Sequence, residues 1–208
     1  YSARLCYCRA MLEVGLRERK KLAVAHGLAQ AAFDLAVERG LDGFTIDDVV
    51  DRADYARRTF ANHYSCKEEA VTALALEQLR FGVVSMPPQP EDTPLIGWVR
   101  ALAKHQMSQG LFDLLVQLAA LARKYPALEP HLSNMFLQIR REATALIQAR
   151  VGGRVKPFAV SILVAAAYGA LTVILDGAAG EAARHGPSRD VTSPVVLDAI
   201  FDQLESGF

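Results

Sequence analysis

The chain has little of what marks disulfide-stapled, fibrous or single-signed proteins. Of its 208 residues three are Cys (Cys6, Cys8 and Cys66), one is Trp and 8% are aromatic. An odd, sparse cysteine set excludes a disulfide framework, and no second Cys or His pair stands at zinc-finger spacing from Cys6 and Cys8. Charge of one sign is missing too. The 23 Lys and Arg balance 23 Asp and Glu, which argues against polyanion binding by the whole surface and leaves a local patch open. No N-terminal stretch joins a basic start, an apolar core and a small-residue cleavage site, so the expected location is cytoplasmic. Runs of alternating apolar and polar residues are lacking throughout, while apolar positions recur three and four apart; the expected fold class is all-α.

What is present is a globular composition, 51% hydrophobic and 22% charged, in a chain long enough to bury a core without metal or disulfides. One uncharged run, Phe158 to Leu175, reaches the lower edge of bilayer-spanning length. Its Ser161, Gly169 and Thr172, its many alanines and its mixed-polarity neighbours point instead to a helix buried on most sides, away from any membrane. Residues 1–67 hold eleven basic and nine acidic side chains, so the N-terminal third is slightly basic and the remainder slightly acidic.

The periodicity predicts about nine helices. The first spans Leu16 to Arg39 and stops at Gly40, with Leu22, Ala25, Ala29, Ala32, Phe33 and Ala36 as its buried stripe. Thr45 is a good N-cap for a short helix Ile46 to Arg52, with Asp47 and Asp48 in the first turn. Ala53-Asp54-Tyr55 interrupts. A third helix covers Ala56 to Tyr64, and Ser65 is placed to cap a long fourth from Lys67 to about Val84. After the Pro-rich connector Met86 to Pro94, helices are expected over Leu95–Gln109, Leu111–Lys124, Ala127–Val151, Pro157–Ala183 and Pro194–Glu205. This divides into a leader (1–15), a three-helix N-terminal domain (16–66) and a larger helical domain (67–208).

Two short helices joined by a three-residue turn and crossed by a longer one form the arrangement in which the second short helix enters a DNA major groove. Ile46, Val49, Val50, Ala53 and Phe60 supply its core. Arg57, Arg58, Thr59 and Asn62 lie on the exposed face at the reading end, and Arg and Asn are the side chains that pair with guanine and adenine edges. Thr45, His63, Tyr64 and Lys67 flank them where phosphates would pass.

On AAFDLAVERG, the Gly40 stop, Thr45 with IDDV, RRTFANHY and Lys67-Glu68-Glu69, residues 17 to 72 resemble the DNA-binding domain of the TetR family of transcriptional regulators. The resemblance implies phosphate contacts at Thr45, Tyr64, Lys67 and His63, and base contacts at Arg57, Arg58, Thr59 and Asn62. Two positions depart from the pattern. Asp54 stands where the turn is usually Gly, tolerable because Asp visits the left-handed region readily. Ala56 replaces the usual Ser or Thr cap, a loss of about 0.5 to 2 kcal/mol and of one phosphate donor.

The resemblance also implies a homodimer built on the last two helices, here through Ile162, Ala166, Gly169, Leu171, Leu175, Val196, Ile200 and Leu204. The middle helices would enclose a cavity for a small hydrophobic effector, with Trp98, Leu102, His105, Leu114, Leu118, Phe136, Ile139 and Tyr168 as lining candidates. The segment RKYPALEPHL is similar to sensor domains of actinobacterial TetR-type regulators, which makes an acyl-CoA-like effector the expectation. The implied function is a repressor released from a palindromic double-stranded operator by that effector. No cofactor or catalytic residue is called for. The rival readings are an all-helical enzyme, for which HExxH-type pairs, phosphate loops and nucleophile elbows are missing, and a structural adaptor. Cys66, beside Lys67 at a helix start, reads as a small residue tolerated in a turn, because the motif places no partner thiol near it.

Overall fold

The computed structural model describes residues 16–90, 92–151, 153, 155–185 and 194–206. Among these residues there are nine α-helices and no strand. They are α1 Leu16–Arg39, α2 Ile46–Ala53, α3 Arg57–Ala61, α4 Lys67–Ser85, α5 Leu95–Ser108, α6 Leu111–Lys124, α7 Glu129–Val151, α8 Pro157–His185 and α9 Pro194–Ser206, with single 3-10 turns at Leu41–Gly43 and Pro126–Leu128. The expected leader lies outside the described residues.

Local chemistry accounts for most of these bounds. Gly40 closes α1 with φ 76 and ψ 163, a region open essentially to glycine alone. A Cβ there would also collide with the Tyr125 hydroxyl. Thr45 caps α2 reciprocally: its hydroxyl accepts from the Asp48 amide at 3.3 Å, and the Asp48 carboxylate accepts from the Thr45 amide at 2.8 Å. Asp54 takes the left-handed conformation (φ 57, ψ 46) that ends α2. Ala56 is the N-cap of α3 and offers no side-chain bond. For α4 the cap is Cys66 and not Ser65. The extended backbone at Cys66 makes it the half-in residue, and its Sγ accepts from the Glu69 amide at 3.4 Å. Ser65, one residue outside, donates its amide and hydroxyl to the Glu69 carboxylate at 2.7 and 2.6 Å.

The core runs without a break through both halves of the chain. It joins the inner faces of α1 (Leu28, Ala29, Ala32, Leu35, Ala36), α2 and α3 (Val49, Val50, Phe60), α4 (Ala70, Val71, Leu74, Ala75) and α6 (Leu115, Leu118), and takes in Leu128, Met135 and Leu175. Leu28 and Leu35, the largest fully buried side chains of α1, extend the expected stripe, whose Leu22 is half-buried. α4 packs along α1 on one side and against α5, α6 and α7 on the other. A smaller cluster of Ile147, Val151, Val160 and Val164, flanked by Trp98 and Leu95, closes the far end of α5, α7 and α8.

The long apolar helix α8 is not buried on most sides within the chain. Over Pro157–Leu175, a stretch long and apolar enough to cross a membrane, only 17% is buried. Val160, Val164 and Leu175 point inward, whereas Phe158, Ile162 and Val173 stand exposed on the opposite face.

Phe60 ties α3 to this core at 2% exposure. Phe60→Ala should therefore cost about 3–5 kcal/mol in urea unfolding; a loss below about 1 kcal/mol would show that the cavity collapses and that α3 does not depend on that ring.

Candidate nucleic-acid interface

The geometry of the N-terminal module follows from three fixings of a very short helix. α3 has only five residues, too few to hold its shape alone. Its inner side is fixed by Phe60, and its C-terminal exit by Tyr64, whose hydroxyl donates to the Ala25 carbonyl of α1 at 2.8 Å. Its entry is fixed by the Asp54 turn, where the Tyr55 amide donates to the Val50 carbonyl at 2.9 Å. Salt bridges Arg52–Glu38 (2.6 Å) and Arg39–Asp48 (3.3 Å) brace α2 against the end of α1.

What remains outside is the exposed face of α3. Arg57, Arg58 and Asn62 are exposed and Thr59 is half-buried on the α3 flank. The Arg58 side chain has no hydrogen-bond or ion-pair partner among the described residues. The Arg57 guanidinium donates through Nη1 to Asp47 Oδ1 on α2 at 2.5 Å. Asn62 is the C-cap of α3, its amide bonded to the Arg58 and Thr59 carbonyls.

The flanking set divides. Thr45 is exposed at the α2 N-terminus, its hydroxyl donating to Asp48 at 2.7 Å. His63 is half-buried beside the module's edge, and burial first, then the Lys21 ammonium, lowers its pKa from the usual 6.5, so the ring is neutral at pH 7. Tyr64 must be corrected. It is 8% exposed with its hydroxyl bound to Ala25, and burial holds the phenol well above its ordinary range; it is a core strut and offers nothing to a phosphate. Lys67 is also placed differently from the expectation. Its Nζ donates to the Leu41 and Phe44 carbonyls at 2.6 and 2.9 Å and lies 4.9 Å over the Phe44 ring, so in this state it clamps the α1–α2 turn to the start of α4.

Asp47 was missed by the sequence reading, which counted it only as a favourable charge in the first turn of α2. Ten residues separate it from Arg57, and only the turn geometry brings the two helix starts together. His131 was also missed: its Nε2 lies 3.7 Å from Cys66 Sγ, where α7 meets the α4 cap.

Short tandem helices with a polar, partly cationic outer face on a rigid apolar base define a helix-turn-helix DNA-binding module. Residues 28–74 match the family described as bacterial regulatory proteins, tetR family. This match, which falls on the module, supports a DNA-binding transcriptional regulator of the TetR type. Comparison with curated proteins finds no match.

The eight expected pocket residues stand in different surroundings among the described residues. Leu114 and Leu118, 6% and 1% exposed, are corrected to core, because that face of α6 is turned into the main cluster. Phe136 and Ile139 pack on the same cluster, with the Phe136 ring edge-on to Tyr168 at 5.7 Å. Burial raises the Tyr168 pKa above its usual 10. Leu102 is half-buried, and His105 Nε2 lies 3.0 Å from Ser85 Oγ. Trp98 alone of the eight lines a cleft of about 270 Å³, with Asp92, Thr93, Pro94, Leu95, Arg150, Val151 and Val155.

The expected dimer residues also divide. Ile162 and Gly169 are exposed and Ala166 half-buried on the outer side of α8. Leu171 and Leu175 are corrected to the subunit's own core, which they reach from the opposite side of the helix. Ile200 is half-buried; the side chains of Val196 and Leu204 lie outside the described residues.

Two outcomes follow. Hydrogen bonds from the Thr45 hydroxyl and amide hold the Asp48 carboxyl below its usual range, so this contribution to stability is complete above about pH 4 and is lost as pH falls through the depressed folded value. The melting-temperature gap between wild type and Asp48→Asn should close on acidification; a gap independent of pH would remove the capping carboxylate from the account. Lys67→Met should lower stability by about 1–3 kcal/mol while leaving the salt slope of DNA binding unchanged. A slope lowered by about one would show that the ammonium leaves its carbonyls for a phosphate.

Proposed function

We propose that this regulator is a cytoplasmic homodimeric repressor that binds a palindromic operator and is released by a small hydrophobic effector. The observation that carries the reading is the outer face of α3, where Arg57, Arg58 and Asn62 stand exposed above a buried Phe60. Arg57, Arg58, Thr59 and Asn62 read base edges, and Thr45 and His63 lie against the backbone, where a phosphate would draw a proton onto the His63 ring. The module, residues 16–66, is the reader, and residues 67–208 are the sensing and pairing part.

The exposed apolar face of α8 supports pairing with a second copy. Phe158, Ile162 and Val173 form a stripe together with Gly169, which meets nothing where a Cβ would stand, so another helix can approach closely. A subunit surface of this kind is covered in working proteins, and a helix that belongs to a DNA-binding regulator is covered by its own copy rather than by lipid. Two readers would then face successive major grooves about 34–36 Å apart, or a multiple of that.

An acyl-CoA-like effector rests on the resemblance of the RKYPALEPHL segment. That segment ends α6 and opens α7, and it touches the DNA-binding module twice, through Tyr125 at Gly40 and His131 at Cys66. A ligand that favours one placement of this junction would act on α4 directly, provided that it binds the operator-free state more tightly. The enzyme alternative has no catalytic motif in the sequence to carry it.

The test is selection of bound fragments from a genomic DNA library by the purified protein at about 0.15 M salt. A short palindrome should be recovered, and Arg57→Ala and Arg58→Ala should each cost about 1–3 kcal/mol and relax preference at distinct positions. Equal retention of all fragments by wild type and the double variant would overturn the reading.

A further inference from the structure

Asp47 and Arg57 meet at the place where the starts of α2 and α3 converge, on the exposed side of the module. The Arg57 Nη1 donates to Asp47 Oδ1 at 2.5 Å, with both side chains about two-thirds exposed (66% and 62%). As an element of stability such a pair is worth little in water. Its position is costly for a DNA-binding surface, because a carboxylate on the reading face repels phosphate oxygens and subtracts from the counterion-release term that dominates affinity. A carboxylate there needs a compensating use.

Arg57 opens α3, directly after an Ala56 that provides no side-chain cap. A cation at a helix N-terminus stands against the positive end of the backbone dipole, and a long, exposed Arg samples many rotamers, each a loss of entropy when one is chosen. An acceptor on α2 removes both disadvantages. One guanidinium nitrogen is bound, the side chain is held across the groove-facing side of the module, and the remaining donors keep the planar fork that guanine O6 and N7 accept. α2 can hold Asp47 still because the Thr45–Asp48 cap fixes its first turn and the Arg52–Glu38 and Arg39–Asp48 bridges join it to α1.

We propose that Asp47 is a specificity-determining positioning residue: it orients Arg57 for base readout and lowers attraction to DNA in general, so that it exchanges affinity for discrimination. This rests on the reading of Arg57 as a base contact, and the experiment separates the two. Wild type, Arg57→Ala, Asp47→Ala, Asp47→Asn and Asp51→Ala are each put through selection from a randomised duplex library, and the selected duplex and a scrambled one are titrated at two salt concentrations. Arg57→Ala identifies the base position that this side chain reads. At that same position Asp47→Ala should reduce discrimination by about threefold or more, a fraction of the worth of one bidentate contact, while binding to the scrambled duplex tightens. Asp47→Asn removes the charge and keeps an acceptor oxygen, so it should tighten scrambled binding equally yet retain most of the base preference. Asp51, exposed one turn further along α2, is the charge control: Asp51→Ala should tighten binding with no change of preference.

If Arg57→Ala erases a preference and Asp47→Ala leaves that position unchanged, Asp47 does not position Arg57 and the proposal is wrong. If Asp47→Asn loses as much preference as Asp47→Ala, the effect is one of charge alone and orientation is excluded. If Arg57→Ala alters no position, the base-reading assignment itself fails and takes this proposal with it.

Discussion

The contact on which the rest depends is the packing of α4 along α1. Both helices bring small residues inward: Ala29, Ala32 and Ala36 on α1 and Ala70 and Ala75 on α4 are at most 1% exposed. Small side chains let two helix axes approach closely, and the larger Leu28, Leu35, Val71 and Leu74 fill the space beside them. With this pair fixed, the few residues between α1 and α4 have little freedom. Tyr64 is drawn onto Ala25 of α1, Lys67 onto the carbonyls of the α1–α2 turn, and Phe60 is left with one place to go. A five-residue reading helix is stable because it is strung between two ends of one rigid joint.

The same joint makes α4 a member of both halves of the molecule. It starts directly after the DNA-binding module, and the family match extends into it, to residue 74. Further along, Arg80 donates to Glu142 of α7 at 3.0 and 2.6 Å and to Glu77 at 2.8 Å. Burial raises the Glu77 pKa against the opposing pull of Arg80, and the three side chains are partly buried. Arg80 thus ties α7 to α4, and Lys67 at the start of the same helix grips the α1–α2 turn.

How much of this was legible in the sequence depended on whether one residue carried its own signal. Gly40, Thr45 and Pro157 mark helix ends by their own backbone preferences, and the observed bounds agree at those points, while the helix before Asp54 runs one residue further than expected, to Ala53. The third helix was expected to reach Tyr64 but ends at Ala61. Helical spacing carried past that end gives the wrong phase, which is why Tyr64 was placed outside when it lies within. Ser65 and Cys66 are both plausible caps by residue type, and only the extended backbone at Cys66 decides between them. Lys67 announces a charge but not which oxygens it meets. In α8, apolar almost all round, periodicity has no phase, so Leu171 and Leu175 were grouped with Ile162 and Gly169 although they lie on opposite faces.

The two faces of α8 also show why composition alone misjudged that helix. Nineteen residues of high mean hydropathy mark either a core helix or a span, and in a single copy of the chain only 17% of this stretch is buried. Its inner side completes the core at Val160, Val164 and Leu175, and its outer side leaves Phe158 and Val173 about three-quarters exposed. Water is an unfavourable neighbour for such a surface, by about 25 cal/mol for each Å² of apolar area, so the free energy that favours covering it grows with the length of the stripe. A dimer formed on this stripe would bury it against its own copy, fix the distance between two reading helices, and make that distance depend on the angle at which α8 meets α6 and α7. The core side of α8 would then govern operator fit as directly as the outer side, since Leu171 and Leu175 set that angle from within.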